Sequence, residues 1–351
     1  MGVQQNEISL DHDSLARLKR LYLQSVPAGS IAFDGLVPVG QVDWGFQDHL
    51  YNTILSKDAT AYQPADSYTR RFLKFLIACL ERNLAEDEEL HDSILTLYSN
   101  LMSKPDSPSE ATKPTFITYL VPSGEHPSQG NAGEKRDRGS QGEDKQVVIS
   151  ERKSVLSANG HTGSRTWEAA LALGEFFLYT PLPVSKPIPQ CRILELGAGT
   201  AFTSILLSKL GAKYVLATDG DEGVCDTIWK NINLNGHQNN ISASQLLWGA
   251  FQEDSSIYTE SWDLIVGGDI TYDTRDLSDL VFTLQRLIMA NRGRGAKAII
   301  SATVRNESTL REFDRGLSAA GLNFKVQKVD ESDRRIWYYE SNTPIQIYII
   351  G

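Results

Sequence analysis

The run Arg192-Ile-Leu-Glu-Leu-Gly-Ala-Gly-Thr200, continued by Tyr214-Val-Leu-Ala-Thr-Asp219, sets the fold of this chain. RILEL (192–196) is a short apolar run of the kind that forms a strand buried on both faces. Gly197 and Gly199 then let the backbone turn sharply and approach a ligand closely. Residues 200–210 read as a helix, and YVLAT (214–218) is a second strand closed by Asp219. Strand, glycine turn, helix and strand make one βαβ unit, and such units build parallel sheets.

The alternation continues to the end of the chain. Residues 221–235 read as a helix, SQLLW (244–248) and DLIVG (263–267) as strands, 275–290 as a helix, AKAIISATV (296–304) as a strand and 307–320 as a helix. FKVQKV (324–329) and IQIYII (345–350) have no cleanly periodic helix between them, which predicts an antiparallel pair at the sheet edge. Seven strands after residue 190 predict one α/β domain, a Rossmann-like mainly parallel sheet with helices on both faces.

Upstream the texture differs. Residues 1–113 read as an α-helical N-terminal region. Leu15, Leu18, Leu21 and Tyr22 are spaced by three and four after Asp11 and Asp13, which suit an N-cap. In 68–84, Tyr68, Phe72, Phe75, Leu76, Cys79 and Leu80 form an apolar stripe opposite Arg70, Arg71, Lys74, Glu81 and Arg82, and 90–101 continues the pattern. This region either docks a partner or covers a sheet face. Residues 114–160 read as a β-hairpin with strands at 115–120 and 147–151. Its insertion, 121–146, holds five Gly, two Pro and nine charged residues but only Val121 and Ala132 as apolar ones, and is expected to be disordered. The third segment, 161–351, carries every ligand-binding motif.

Composition narrows the function. The 351 residues carry 34 Lys and Arg against 44 Asp and Glu, a net charge of −10. Sequence-independent nucleic-acid binding relies on cations that neutralise phosphates, so no direct nucleic-acid partner is expected. Three widely spaced cysteines (79, 191, 225) make neither a disulfide framework nor a zinc site, and read as buried thiols in a reducing compartment. No apolar leader and no long apolar run is visible, so a cytoplasmic protein with no membrane partner is expected, read as a monomer. The six histidines make no metal pair, and no metal is expected.

The glycine turn has two readings. It approximates a dinucleotide fingerprint, but Phe202 stands where the third small residue would be, which disfavours a pyrophosphate cradle. Asp219, twenty residues after Gly199, suits a carboxylate accepting hydrogen bonds from both ribose hydroxyls of an adenosine ligand. It could instead cap the following helix, a role open equally to Asp221. Glycine turn and acidic strand end without the third glycine fit S-adenosylmethionine better than NAD.

Five pieces in order carry a more specific likeness: Gly163-Ser-Arg-Thr-Trp167-Glu-Ala-Ala, Leu194-Glu-Leu-Gly-Ala-Gly-Thr200, Ala217-Thr-Asp219, Leu247-Trp248-Gly249 and Asp269-Ile-Thr-Tyr272. Asn231-Ile-Asn-Leu-Asn235 fits as well. With them the chain resembles the family-16 protein lysine methyltransferases of the seven-strand, S-adenosylmethionine-dependent class. The Thr303-Val-Arg-Asn306 run and Tyr68-Thr-Arg-Arg-Phe-Leu-Lys74 point within that family to members acting on elongation factor 2. The resemblance implies S-adenosyl-L-methionine as cofactor and a protein substrate, elongation factor 2, as partner. It implies that Gly197, Ala198 and Gly199 line the methionine and ribose end, that Asp219 holds the ribose, and that Trp248 lies beside the adenine. Trp167 would touch the cofactor from a preceding helix. Gly268 stands where the family often has Ala, again against the cofactor, a swap expected to keep the close approach but loosen the strand end. Asp269 and Tyr272 would be the catalytic pair on the substrate side. Trp262 has no such match and reads as core.

The amine that attacks the methyl must be neutral, and at pH 7 deprotonating lysine costs roughly 4.6 kcal/mol from its reference pKa of about 10.4. A charged Asp269 would oppose that step, so Asp269 and Tyr272 are assigned to positioning the amine rather than to strong base catalysis. Gly268-Asp-Ile-Thr-Tyr272 lacks the prolines of the Asn/Asp-Pro-Pro-Tyr run of adenine, cytosine and glutamine methyltransferases. Two alternatives stay open from sequence: methylation of another protein or a small molecule, and a non-enzymatic adapter that keeps a cofactor fold.

Overall fold

The computed structural model describes residues 7–104, 114–121, 145–151, 162–236, 239–250, 256–330, 336–339 and 343–351. The chain divides into two compact units, 1–120 with 150–154, and 121–149 with 155–351. Most of the expected insertion at 121–146 lies outside the described residues; its ends, Val121, Lys145 and Gln146, belong to strands.

The first unit is helical. It contains α1 (Glu7–Leu23), α2 (Trp44–Leu50) running into a π-helical turn at Tyr51–Leu55, α3 (Asp66–Arg82) and α4 (Asp92–Met102). α1 begins ahead of Asp11 and Asp13, so neither is its N-cap. The helix at 44–50 is short and amphipathic over less than two turns, too brief for periodicity to reveal it. Leu18 and Tyr22 of α1 and Phe72, Leu73 and Leu76 of α3 are fully buried, and the Tyr22 and Phe72 rings lie 4.7 Å apart. Phe75 departs from the expected stripe: it is 47% exposed, on the flank of α3, and stacks against Phe33. Buried Gln47 donates to the Glu89 carbonyl and accepts from the His91 amide, each at 2.9 Å, fixing the approach to α4.

β1 (Thr115–Val121) and β2 (Lys145–Glu151) form a two-stranded sheet. In the second unit α5 (Glu168–Tyr179) precedes the main sheet, whose elements follow in chain order: β3 (Arg192–Glu195), α6 (Phe202–Lys209), β4 (Tyr214–Asp219), α7 (Glu222–Leu234), β5 (Ile241–Gln245), α8 (Ser256–Thr259), β6 (Leu264–Gly268), α9 (Leu277–Ala290), β7 (Lys297–Thr303), α10 (Glu307–Ala319), β8 (Phe324–Val329) and β9 (Ile345–Ile350). The spatial order is β5-β4-β3-β6-β7-β9-β8. The first five are parallel; β9 pairs antiparallel with both β7 and β8.

The expected antiparallel pair stands at the sheet edge, with β8 outermost and β9 between it and β7. Ile345, Ile347, Tyr348 and Ile350 are buried, as in a central strand, whereas Lys325–Lys328 lie exposed along β8. Charged side chains on an edge discourage pairing with another chain. The strand read at 244–248 is displaced to Ile241–Gln245, in register with Val215–Asp219. Leu246, Leu247 and Trp248 leave the sheet; their apolar character serves the wall of a cleft rather than a strand.

The core around β3, β6 and β7 is aliphatic, with Trp262 fully buried and its indole N–H donating to the Ile257 carbonyl at 2.7 Å. The three cysteines are free and buried. No helix among the described residues is long and apolar enough to cross a membrane.

Candidate functional site

The strand order reverses between β3 and β6, where helices leave the sheet on opposite faces and a crevice opens beyond the carboxyl ends of the strands. A cavity of about 680 Å3 lies there, within the range of small-molecule sites. Of the residues nominated from sequence, Trp167, Gly197, Gly199, Asp219, Trp248, Gly268, Asp269 and Tyr272 line it. Ala198 does not: its side chain is buried, and its amide donates to the Thr218 carbonyl at 2.8 Å, closing the turn onto β4.

Gly197 (φ +60°) and Gly199 (φ +54°) occupy the left-handed region that glycine enters without strain. A Cβ on Gly197 would fall 2.7 Å from Ile270 Cγ2 and 3.3 Å from Trp248 Cζ2, so the turn is packed against the cavity wall. Glu195, one residue before the turn's leucine, is buried in β3 and accepts from the Ser204 amide (2.9 Å) and hydroxyl. It thereby binds the first turn of α6 to the strand end. Burial pushes this carboxyl up to about 7, against the opposing pull of those hydrogen bonds.

Asp219 is not a helix cap. Asp221 fills that role at α7, accepting from the Val224 amide at 3.0 Å. The Asp219 carboxylate instead spans the crevice floor: one oxygen accepts from the Gly199 amide (3.1 Å), the other from the Asp221 amide (3.2 Å). Burial raises its pKa, opposed by those backbone hydrogen bonds. The asparagines after α7's midpoint also have structural partners. Asn231 Nδ2 donates to the Thr200 carbonyl at 3.0 Å, and Asn235 exchanges two hydrogen bonds with the Val148 backbone.

On the far side of the cavity, Gly268 ends β6 against α5. A Cβ there would lie 2.9 Å from both Cα and Cβ of Ala170, so the family's alanine does not fit this backbone without movement. Asp269 follows with φ +60°, an unusual conformation for a residue with a side chain and one that costs of order 1–3 kcal/mol. It is held there by its amide, which donates to the Ser301 carbonyl at 2.7 Å. Its carboxylate accepts from the Thr303 amide at 3.2 Å and from Arg305 Nη2 at 2.6 Å. Tyr272 is half exposed at the cavity mouth.

Arg305 was not singled out from sequence, though it lies in the Thr303–Asn306 run. Its guanidinium sits 5.0 Å from the centroid of the Trp167 ring, and the Arg165 guanidinium lies 5.2 Å from the same centroid. Trp167 itself is the residue immediately before α5, at its N-cap position rather than within a helix. Glu168 accepts from Arg165 at 2.6 Å and lies 4.0 Å from Arg305. The side chains from 165, 167, 168, 269 and 305 therefore form one connected group. Nothing in a single sequence announces it, because its members come from three separate stretches.

Parallel strands in the order of a dinucleotide-binding sheet, finished by the reversed β9, define the Rossmann-like methyltransferase fold. A family model described as lysine methyltransferase matches residues 144–315. The protein-lysine N-methyltransferase EFM3 of Chaetomium thermophilum is 31% identical over 323 residues, covering 87% of this chain and 89% of that protein. EFM3 of Saccharomyces cerevisiae is 31% identical, covering 59% and 66%. The protein-lysine N-methyltransferase EEF2KMT of Homo sapiens is 26% identical, covering 84% and 83%. The chain belongs to this lysine methyltransferase family and is an S-adenosylmethionine-dependent protein-lysine N-methyltransferase.

Proposed function

We propose that the crevice at the β3–β6 reversal binds S-adenosylmethionine along its β4 side and presents the target lysine at Asp269 and Tyr272, and that the substrate protein is elongation factor 2. The observation that carries this reading is the single cavity joining Asp219 to Asp269 and Tyr272. When bound, S-adenosylmethionine supplies an electrophilic methyl on a sulfonium. The residues present suit that group. Asp219 lines the cavity with a carboxylate, an acceptor suited to ribose hydroxyls, beside the backbone amides it already holds. The Gly197 and Gly199 turn leaves room for close approach, and the Trp248 indole offers a face for the adenine.

The chain's own residues then do three things. Asp269 and Tyr272 orient the lysine nitrogen toward the methyl, which is proximity rather than base catalysis. Trp167, Trp248 and Ile270 exclude water from the cavity wall. The proton leaves the ammonium for solvent through the mouth beside Tyr272 before attack. So held, the neutral nitrogen would be aimed at the methyl that the bound cofactor would supply.

Elongation factor 2 is supported by the Thr303–Asn306 and Tyr68–Lys74 runs, and by the name EEF2KMT of a relative aligned over most of both chains. Action on a translation factor places the activity in the cytoplasm. A folded protein must be held by surface beyond the small pocket, and we assign that docking to the helical region 1–113. Incubation of the purified chain with labelled S-adenosylmethionine and purified elongation factor 2, followed by peptide mass spectrometry, tests the reading. Methyl-lysine in one elongation factor 2 peptide is expected; label on another protein, or none, would refute it.

A further inference from the structure

Among the described residues lining the cavity, Arg305 is the only cation, and four carboxylates besides Asp269 line it too: Asp219, Asp221, Asp276 and Asp279. It comes from the β7–α10 link, while Asp269 closes β6; the pair at 2.6 Å joins the two strand ends on the substrate side. Glu168, at the start of α5, lies 4.0 Å from Arg305 and pairs with Arg165, while Tyr272, Asp276 and Asp279 line the same cavity. Arg305 is 41% exposed, whereas the Asp269 side chain is only 4% exposed, so the cation closes over the buried carboxylate from the solvent side.

An uncompensated carboxylate beside the amine would hold it as ammonium, because an opposite charge within ~4–6 Å shifts a pKa by about 1–3 units toward the charged form. The methyl acceptor needs the opposite. We propose that Arg305 is a positioning residue for transfer: by pairing with Asp269 it offsets that carboxylate's charge on the acceptor side of the cavity, so that the incoming lysine loses its proton there. Asp269 keeps lone pairs to orient the neutral amine, and Arg305 keeps the carboxylate from acting as an ammonium trap. Stacking on Trp167 fixes the guanidinium in that place. This inference rests on the assignment of Asp269 to the acceptor side.

The test is the pH profile of kcat on the protein substrate for Arg305→Gln, Arg305→Lys and Asp269→Asn/Arg305→Gln, beside wild type. With Gln, the acid limb should move up by about 1–3 pH units. The rate near pH 7.5 should then fall about tenfold per unit and recover at high pH, with KM for the protein unchanged or lower. Arg305→Lys keeps a positive charge and should keep the wild-type limb. The double variant, with neither charge, should bring the limb back. Calorimetric titration with S-adenosylhomocysteine reports whether each variant still forms the cofactor side, and folded variants should bind within a few-fold of wild type. A fall by one factor at every pH, an unshifted limb in Arg305→Gln, or no return in the double variant overturns the proposal. Failure of the underlying reading looks different: wild type makes no methyl-lysine, or Asp269→Asn alone leaves rate and KM untouched.

Discussion

Three residues at the strand ends carry most of what can be tested one residue at a time. Asp219→Asn removes one charged acceptor facing the cavity, and charge-assisted hydrogen bonds are worth about 1.5–3 kcal/mol. Cofactor affinity by calorimetry should fall at least tenfold. Because the same carboxylate holds the Gly199 and Asp221 amides, a modest loss of melting temperature should accompany it. Glu195 makes a pH prediction. Its carboxyl titrates near 7 in the fold against an ordinary 4.5, so between those values the folded chain holds a proton that the unfolded chain has released. Stability from this group therefore falls as pH rises from about 4.5 to about 7 and is level above. Glu195→Gln should make unfolding free energy by urea titration decline less across that window, by about 3 kcal/mol; an unchanged slope would place the proton elsewhere. Gly268→Ala sets a Cβ 2.9 Å from Ala170, and overpacking of this kind costs about 1–3 kcal/mol. A lower melting temperature is expected, and an unchanged one would show that α5 gives way freely.

At the scale of elements, α5 ties the sheet's far edge to the site. Glu175, buried on α5, accepts from the amides of Ile336 and Trp337 at 2.9 and 3.0 Å, and the Trp337 ring meets Phe202 of α6 edge-on at 5.1 Å. The β8–β9 connection is thus anchored to the helix that begins at Glu168, directly after Trp167. Glu175→Ala leaves two backbone donors without that acceptor. It should cost about 2–3 kcal/mol in urea unfolding and raise amide exchange at Trp337; unchanged exchange there would show the anchor to be idle. The βαβ order was legible in sequence because buried parallel strands are rich in apolar residues, as RILEL and YVLAT are despite Arg192 and Glu195. The displacement of β5 was not, since Leu246–Trp248 are apolar for the sake of a cleft. Nor was the insertion of β9 between β7 and β8, because pairing order is a property of the whole sheet. In the site, glycine turn and Asp219 announce themselves by spacing along one βαβ unit. Arg305 and its stack on Trp167 join residues more than a hundred positions apart, and Glu195 hides as one more residue of a core strand.

The whole molecule joins a helical unit to a methyltransferase sheet, and its net charge is −10. If region 1–113 docks the substrate protein, a chain lacking it should still bind S-adenosylhomocysteine yet fail to methylate intact elongation factor 2. Circular dichroism with cofactor titration shows whether the shortened chain folds. A folded, cofactor-binding truncation that methylates at full rate would exclude the docking role. The central claim is that one cavity at the β3–β6 reversal moves a methyl from S-adenosylmethionine to a lysine of elongation factor 2. Its most direct test is site-resolved mass spectrometry of elongation factor 2 after reaction with the purified wild-type chain and with Asp269→Asn. The account predicts methyl-lysine at one site with wild type and a sharply reduced yield with the variant. Equal yields from the two proteins, or no methyl-lysine in elongation factor 2 from the wild type, would contradict it.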